Sequence, residues 1–332
     1  MSKMSVESIP TNALWEISRY VLVTMGLLMG SSWFCTPLAF SNQEYKGKAQ
    51  GTPCIVTIPQ FPDDADWTKL TDEIQNRLDV LEQMIASHRA DSEVCRFNAF
   101  VSTEDWFPVS EKTAYIVQTA WEIAQLTQGQ FDIVLPLPEL SKVYSLPHSG
   151  YKNLSVRFDP PALKKADSKL AIDLSAVATG VAVDCIAELL EEQKITDYMV
   201  EVGNCVRCKG KKNKDTDWNI GIEKPPLRTS KEFPGLQQKL VLREQSLVTY
   251  CSSLALSSAL VYRSVSVIAP DCFQADAWAE AMFLLGGQGA VELANQHGIA
   301  VLVLHRRNDE DVGEISSKHW VLKTQVEVNL SP

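Results

Sequence analysis

"QADAWAEAMFLLGG", residues 274–287, is the stretch whose reading decides the fold. As a helix it carries Asp276 and Glu280 four residues apart on one face, ahead of an apolar run that ends at Gly286-Gly287. Like charges at that spacing cost roughly 0.2–0.5 kcal/mol, so the pair either holds a cation or faces water. The glycine pair separates this helix from a second one, the two running from Ala275 to His297. "SVSVI" (264–268) before them and "IAVLVL" (299–304) after them suit strands.

Working outward, "YMVEV" (198–202), "WNIGI" (218–222), "KLVL" (239–242) and "SLVTY" (246–250) also read as strands, and 177–193 as a helix. Nearer the N-terminus, "CIVTI" (54–58) is a strand ended by Pro59. Trp67, Leu70, Ile74, Leu78, Leu81 and Ile85 recur at spacings of three and four, one face of an amphipathic helix. A further helix fits 111–128, with Ser110 as N-cap and Gly129 as stop. Pro136 and Pro138 break the segment after it, and "SVRF" (155–158) is a strand turned at Asp159-Pro160-Pro161. Strands outnumber helices and do not alternate regularly with them, which predicts α+β rather than a doubly wound sheet. The loop at 229–235 is the candidate hinge or insertion, and no repeat or low-complexity segment interrupts the chain.

The 332 residues are 45% hydrophobic, enough for a substantial core, with ordinary glycine and proline contents. A formal charge of −10 argues against a nucleic-acid binder, since such binding rests on cations that neutralise phosphates. The basic run "KGKKNK" (209–214) reads as a solvated loop. Residues 1–41 differ from the rest: "VLVTMGLLMG" (21–30) follows Arg19 and precedes Ala39 and Ser41, an A-x-S cleavage pattern. That reads as an export signal, with an uncleaved membrane anchor or a cytosolic N-terminal helix as alternatives. Residues 42–332 form the remaining domain. Of eight cysteines, Cys205 and Cys208 make a C-x-x-C with no second pair or histidine to complete a zinc site. They are either a local disulfide or, by preference, two buried thiols.

Two stretches have chemical potential. "AIDLSAVATGVAVD" (171–184) sets Asp173 at the end of an apolar strand, then small residues, then a helix. Such a turn either receives phosphate on free helix N–H groups or is a tight turn capped by Asp173. In "QGQFDIVLPLPEL" (128–140), Phe131 and Asp132 sit beside a proline-stiffened loop that lines a ring-binding slot or simply the surface. The histidines are scattered and read as structural, and no nucleophile–base pair stands out.

In order and at compatible spacings, these segments resemble the ApbE family, the FAD:protein FMN transferases that bacteria use outside the cytoplasm. "RADSEVCRFN" (89–98) is similar to the family's serine followed by R-x-N. "TQGQFDIVLPL" (127–137) resembles T-x-G-x-F-D-x-T-V-G-P-L, and "IDLSAVATGVAVD" (172–184) resembles D-L-[GS]-x-[IV]-[AG]-[KE]-G-x-A-x-D. "YMVEVGNCVRCKGKKNKDTDWNIGIEKP" (198–225) follows the family's strand, G-G turn and W-x-[VI]-x-I-x-x-P. "VSVIAPDCFQADAWAEAMFLLG" (265–286) follows V-x-V-x-A, then A-D-A-x-[AD]-T and L-G. The resemblance implies a flavin cleft between two halves of one mixed domain. It implies His88, Gln130, Phe131, Asp132, Asp173 and Thr179 as FAD contacts, and Ala176, Asp276 and Glu280 as ligands of Mg²⁺. The activity implied is transfer of FMN from FAD to a threonine or serine of an acceptor protein, with release of AMP, in the periplasm or at the periplasmic face of the inner membrane.

The chain departs from the family in four places. Glu280 stands where the family has threonine, Gly203-Asn204 where it has G-G, and "VTYCSS" (248–253) where it has T-S-G. "LALSSALVYRS" (254–264) runs straight into "VSVIAP" without the family's histidine and D-P-x-T-G segment. The alternatives implied are a flavin- or partner-binding relative without turnover, and a hydrolase splitting FAD into FMN and AMP.

Overall fold

Helices form where apolar spacing and caps coincide. In the computed structural model, which describes residues 42–62, 65–136, 150–225, 235–256, 259–306 and 311–325, helix α1 (Trp67–Ile85) buries Leu70, Ile74, Leu78, Leu81 and Ile85. Asp66 caps it by accepting from the Lys69 N–H. A short α2 (Glu93–Ala99) comes next, capped by Ser92, and then α3 (Glu111–Leu126), capped by Ser110 as its sequence predicts. Gly129 ends that region at φ 80°, a left-handed conformation that suits glycine. The remaining helices are α4 (Ala178–Glu192), α5 (Cys272–Leu285), α6 (Gly287–His297) and α7 (Lys318–Gln325). The described residues from Asn42 onward belong to one compact unit. Residues 1–41, and all of the 229–235 loop except Gly235, lie outside the described residues.

The first seven strands are β1 (Gln43–Ala49), β2 (Thr52–Ile58), β3 (Phe107–Pro108), β4 (Val134–Pro136), β5 (Leu154–Phe158), β6 (Pro161–Lys165) and β7 (Leu170–Ile172). The later ones are β8 (Tyr198–Val202), β9 (Cys205–Lys209), β10 (Trp218–Glu223), β11 (Leu236–Leu242), β12 (Gln245–Leu256), β13 (Ala259–Ala269), β14 (Ala300–Arg306) and β15 (Val312–Ser316). Eight of them form one sheet in the order β1-β2-β8-β9-β12-β13-β14-β15. Every neighbouring pair is antiparallel. The α+β expectation is therefore met.

Strand alternation divides the core in two. Val200, Val202, Val265, Val267, Val301 and Val303 face the large cluster shared with α1, α3, α4 and α5. Ile268, Leu302 and Leu304 face a smaller one with Trp218, Leu240, Leu242 and Trp320. The same alternation settles the C-x-x-C. Cys205 belongs to the first cluster and Cys208 to the second, because residues three apart on a strand point to opposite faces. Both are free thiols, and the local disulfide is ruled out on this geometry. In the basic run, Lys211, Lys212 and Lys214 are exposed, as expected of a solvated loop.

Two differences from the sequence reading matter for the site. Helix α5 starts at Cys272 rather than Ala275, with Asp271 as N-cap accepting from the Gln274 N–H at 2.8 Å. It is buried nearly all round, so it carries no amphipathic stripe to mark its start. The unpredicted α2 carries Asn98, whose amide pairs with β7 like a neighbouring strand. Its Oδ1 accepts from the Ile172 N–H at 2.8 Å and its Nδ2 donates to the Ile172 carbonyl at 2.9 Å. The buried Lys165 ammonium donates to the Asn98 and Leu170 carbonyls, both at 2.9 Å. This latch fixes the strand that leads into Asp173. Replacing Asn98 by alanine leaves two backbone groups unpaired and is expected to lower unfolding stability by about 2–4 kcal/mol. Urea denaturation reads this directly, and an unchanged midpoint would show that water substitutes for the latch.

Candidate active site

The starts of α4 and α5 meet, and Gly180 is the reason they can. A Cβ on Gly180 would lie 2.6 Å from the Cys272 carbonyl oxygen and 2.9 Å from the Asp276 Cβ. Because the helices touch, each closes the other's first turn. The Gly180 N–H donates to Asp276 Oδ2 at 3.0 Å. In return, the N–H groups of Cys272 and Phe273 donate to Asp184 Oδ1 and Oδ2 at 3.0 and 2.8 Å. Val177, the N-cap residue of α4, makes no side-chain cap. The helix start therefore keeps donors for an anionic ligand.

Asp276 is almost fully buried, at 3% exposure. Burial pushes its carboxyl up to about 7; the Gly180 N–H and Cys205 thiol pull down, while Glu280 and Asp184 push further up. Glu280, one turn on, is also raised, first by burial and then by the charge of Asp173. Its Oε2 is buried with no hydrogen-bond partner. Tyr250 on β12 packs its ring on Phe283 of α5, 4.9 Å between centroids. Burial, then the charges of Glu280 and Asp276, raise its phenol. Asp173, Asp276 and Glu280 thus interact as like charges, and among the described residues no ion pair is recorded for any of them.

The donors fit a hard divalent ion. Two carboxylates, one with an orphaned buried oxygen, would be relieved by it. The carbonyl of half-buried Ala176 lies in the adjoining turn. Among the described residues no group of three or more His, Cys, Asp or Glu side chains is placed to hold a metal ion by itself. Mg²⁺ takes one or two carboxylates and keeps positions for water and phosphate oxygens.

The flavin candidates divide. Asp173 orders the small-residue turn, accepting from the Ser175 N–H at 2.9 Å, while its own N–H donates to the Ile133 carbonyl at 2.8 Å. With the pairing of β4 to β7, that bond sets the Asp132 loop beside the Asp173 turn. Asp132 itself accepts from the N–H groups of Val134 and Tyr151 at 2.9 and 3.0 Å. Phe131, 2% exposed, is committed to the core rather than offered to a stacking slot. Gln130 and Thr179 are half-buried, Thr179 directly before Gly180. His88 is exposed in the turn between α1 and α2, and no hydrogen bond joins it to the others. His297 stacks on Trp278 at 5.6 Å, a structural role.

Sequence reasoning missed Gly180, Asp184 and Tyr250 as parts of the site. Gly180 and Asp184 were in plain view in "ATGVAVD", but only the facing helix gives them a task. The departures from the family motifs also take shape. The Asn204 Nδ2 donates to the Thr249 carbonyl at 3.3 Å, and the Thr249 N–H donates to the Asn204 carbonyl at 3.1 Å. β12 and β13 pair without a break from Ser246↔Ala269 to Leu256↔Ala259.

Substituting Gly180 by alanine must separate α4 from α5, since the Cβ meets backbone and a Cβ rather than a flexible tip. A loss of about 1–3 kcal/mol is expected, together with weaker divalent-cation binding. Denaturant unfolding and calorimetric titration with Mg²⁺ check both, and wild-type values in the two measurements would contradict the helix contact.

Comparison with known proteins bears on this geometry. The chain matches the ApbE family over residues 50–252 and 256–303. It is 29% identical over 312 residues to the FAD:protein FMN transferase of Escherichia coli strain K12, covering 83% of this chain and 86% of that protein. Identity to the enzyme of the same name from Vibrio cholerae serotype O1 is 27% over 296 residues, 79% and 87% of the two chains. Among solved structures, the flavin transferase ApbE from Vibrio cholerae aligns with TM-score 0.73 at 25% identity, over 86% of this chain and 99% of that one. The apo flavinyl transferase ApbE of Pseudomonas stutzeri shares the fold, with TM-score 0.73 at 21% identity over 86% and 97% of the two chains. The family match spans most of the chain, leaving residues 253–255 of β12 unmatched; this chain belongs to the ApbE family.

Proposed function

We propose that this chain is a FAD:protein FMN transferase, which takes FMN from FAD, attaches it to a threonine or serine of an acceptor protein and releases AMP. One observation carries the reading beyond family membership. The buried Asp276, with the unpartnered Glu280 oxygen one turn away, adjoins the uncapped start of α4.

In this scheme the FAD diphosphate lies against the first turn of α4, whose N–H groups accept its charge. Asp173 keeps that turn in shape through the Ser175 N–H. Asp276, held by the Gly180 N–H, together with Glu280 and the Ala176 carbonyl, would hold a Mg²⁺. The ion supplies charge neutralisation at the diphosphate, the main requirement of phosphoryl-group transfer. Asp132 orders its loop through Val134 and Tyr151 and borders the flavin side. The acceptor hydroxyl attacks the FMN phosphorus, the bond to the bridging oxygen breaks, and AMP departs with that oxygen. The apolar run at 21–30 supports an activity outside the cytoplasm or at the outer face of the inner membrane.

The uninterrupted β12–β13 hairpin favours a second reading, in which water replaces the protein acceptor or flavin is held without turnover. One experiment separates these readings. The purified protein is mixed with FAD, Mg²⁺ and a flavin-accepting domain, then examined for a fluorescent band on a denaturing gel and for AMP. A fluorescent acceptor band is expected, with Asp276→Ala reducing its rate by about 10²-fold or more, the magnitude typical of losing one charge-stabilising group. AMP without a labelled acceptor would mean hydrolysis, and intact FAD would mean binding alone.

A further inference from the structure

Arg207 has no part in that scheme, yet it sits at the centre of the most heavily bonded ion-pair network among the described residues. On β9, its Nη1 donates to Asp184 Oδ1 at 2.7 Å and its Nη2 to Glu191 Oε1 at 3.3 Å. Asp184 and Glu191 are seven residues apart on α4, two turns along one face. Glu191 is held in turn by the Tyr198 hydroxyl at 2.6 Å and the Lys209 ammonium at 3.2 Å. Arg207 thus ties β9 along α4 and braces the carboxylate that receives the first two N–H groups of α5.

The two helices are bonded reciprocally. Asp184 takes the Cys272 N–H, four residues before Asp276, and Asp276 takes the Gly180 N–H, four residues before Asp184. Any shift of α5 on α4 therefore breaks both bonds at once. We infer that Arg207 and Asp184 are positioning residues: their ion pair seats the first turn of α5 on α4 and thereby fixes Asp276 beside the turn that follows Asp173. This deepens the cation-dependent reading proposed above and rests on it for its functional meaning.

The physical reason is the charge. Asp184 is buried and accepts N–H bonds on both oxygens, which requires a carboxylate. Burial pushes it up to about 6, and the two N–H groups and Arg207 oppose that push. Without the guanidinium a buried charge is left with no cation and takes up a proton instead. A protonated oxygen is a poor acceptor, so one α5 N–H loses its partner and the helix start loosens.

The test uses the full chain without flavin and reads two quantities: hydrogen exchange at the Gly180 amide, and Mn²⁺ affinity by electron paramagnetic resonance. Arg207→Met is expected to speed Gly180 exchange by about tenfold or more and to weaken Mn²⁺ binding by about tenfold. Arg207→Lys, which keeps the charge, should restore both to within about threefold of wild type. Arg77→Met is the control, breaking the Arg77–Glu192 pair on the same helix, and should move neither. Wild-type protection of Gly180 in Arg207→Met overturns the inference. So does an Arg77→Met effect of equal size, or a lysine variant that behaves like the methionine one. Should Arg207→Met fail to fold, Asp184→Asn keeps the shape, removes the charge and carries the same expectations. A wild-type protein that binds no Mn²⁺ refutes the cation reading, while Gly180 exchange still decides the role of Arg207.

Discussion

The contact between α4 and α5 at Gly180 is the constraint on which the site depends. Only a residue without a Cβ lets the Cys272 carbonyl come so close. That approach brings two helix starts together, each rich in unpaired N–H groups, and lets a carboxylate from each serve the other. Hydrogen bonds to a charged group contribute about 1.5–3 kcal/mol each, enough to offset much of the penalty for burying Asp184 and Asp276. The compensation is unequal. Asp184 has a guanidinium, whereas Asp276 and Glu280 have none, and burial accordingly pushes Asp276 up to about 7 and Asp184 only to about 6.

The sheet supplies the other wall. The Gly203-Asn204 turn reaches across to Thr249, which puts neighbouring Tyr250 where its ring meets Phe283 of α5. On the far side, Asn98 and Lys165 hold β7, and β7 holds the Asp132 loop through β4. Three of the four departures from the family motifs sit on the sheet: an asparagine in the glycine turn, a tyrosine beside the acids, and a plain β12–β13 hairpin.

Much of the fold was legible because its causes are local. Ser110 caps α3 as its sequence predicts, and the apolar spacing of α1 reports the face that is buried. α5 was harder. Buried on nearly all sides, it has no polar stripe, and its true start lies three residues earlier than the pattern suggests. α2 is too short to show a period, and its seven residues were passed over although Ser92 caps them. For Phe131 the sequence leaves a ring-binding slot and the plain surface open, and in the fold its ring is buried in the core.

By itself the sequence determined the α+β order of elements, the capping of the helices, the i, i+4 spacing that sets Asp276 and Glu280 on one face, and the motif order that points to the family. These rest on backbone periodicity and on contacts within a few residues. Tertiary structure alone decided that Asp184 would anchor α5 from 88 residues away and that Asp276 would reach back 96 residues to Gly180. It also decided that Arg207 would brace the first of these and that one oxygen of Glu280 would be left without a partner. Charge and burial at a point in space depend on every segment that converges there, and no local pattern along the chain encodes that sum.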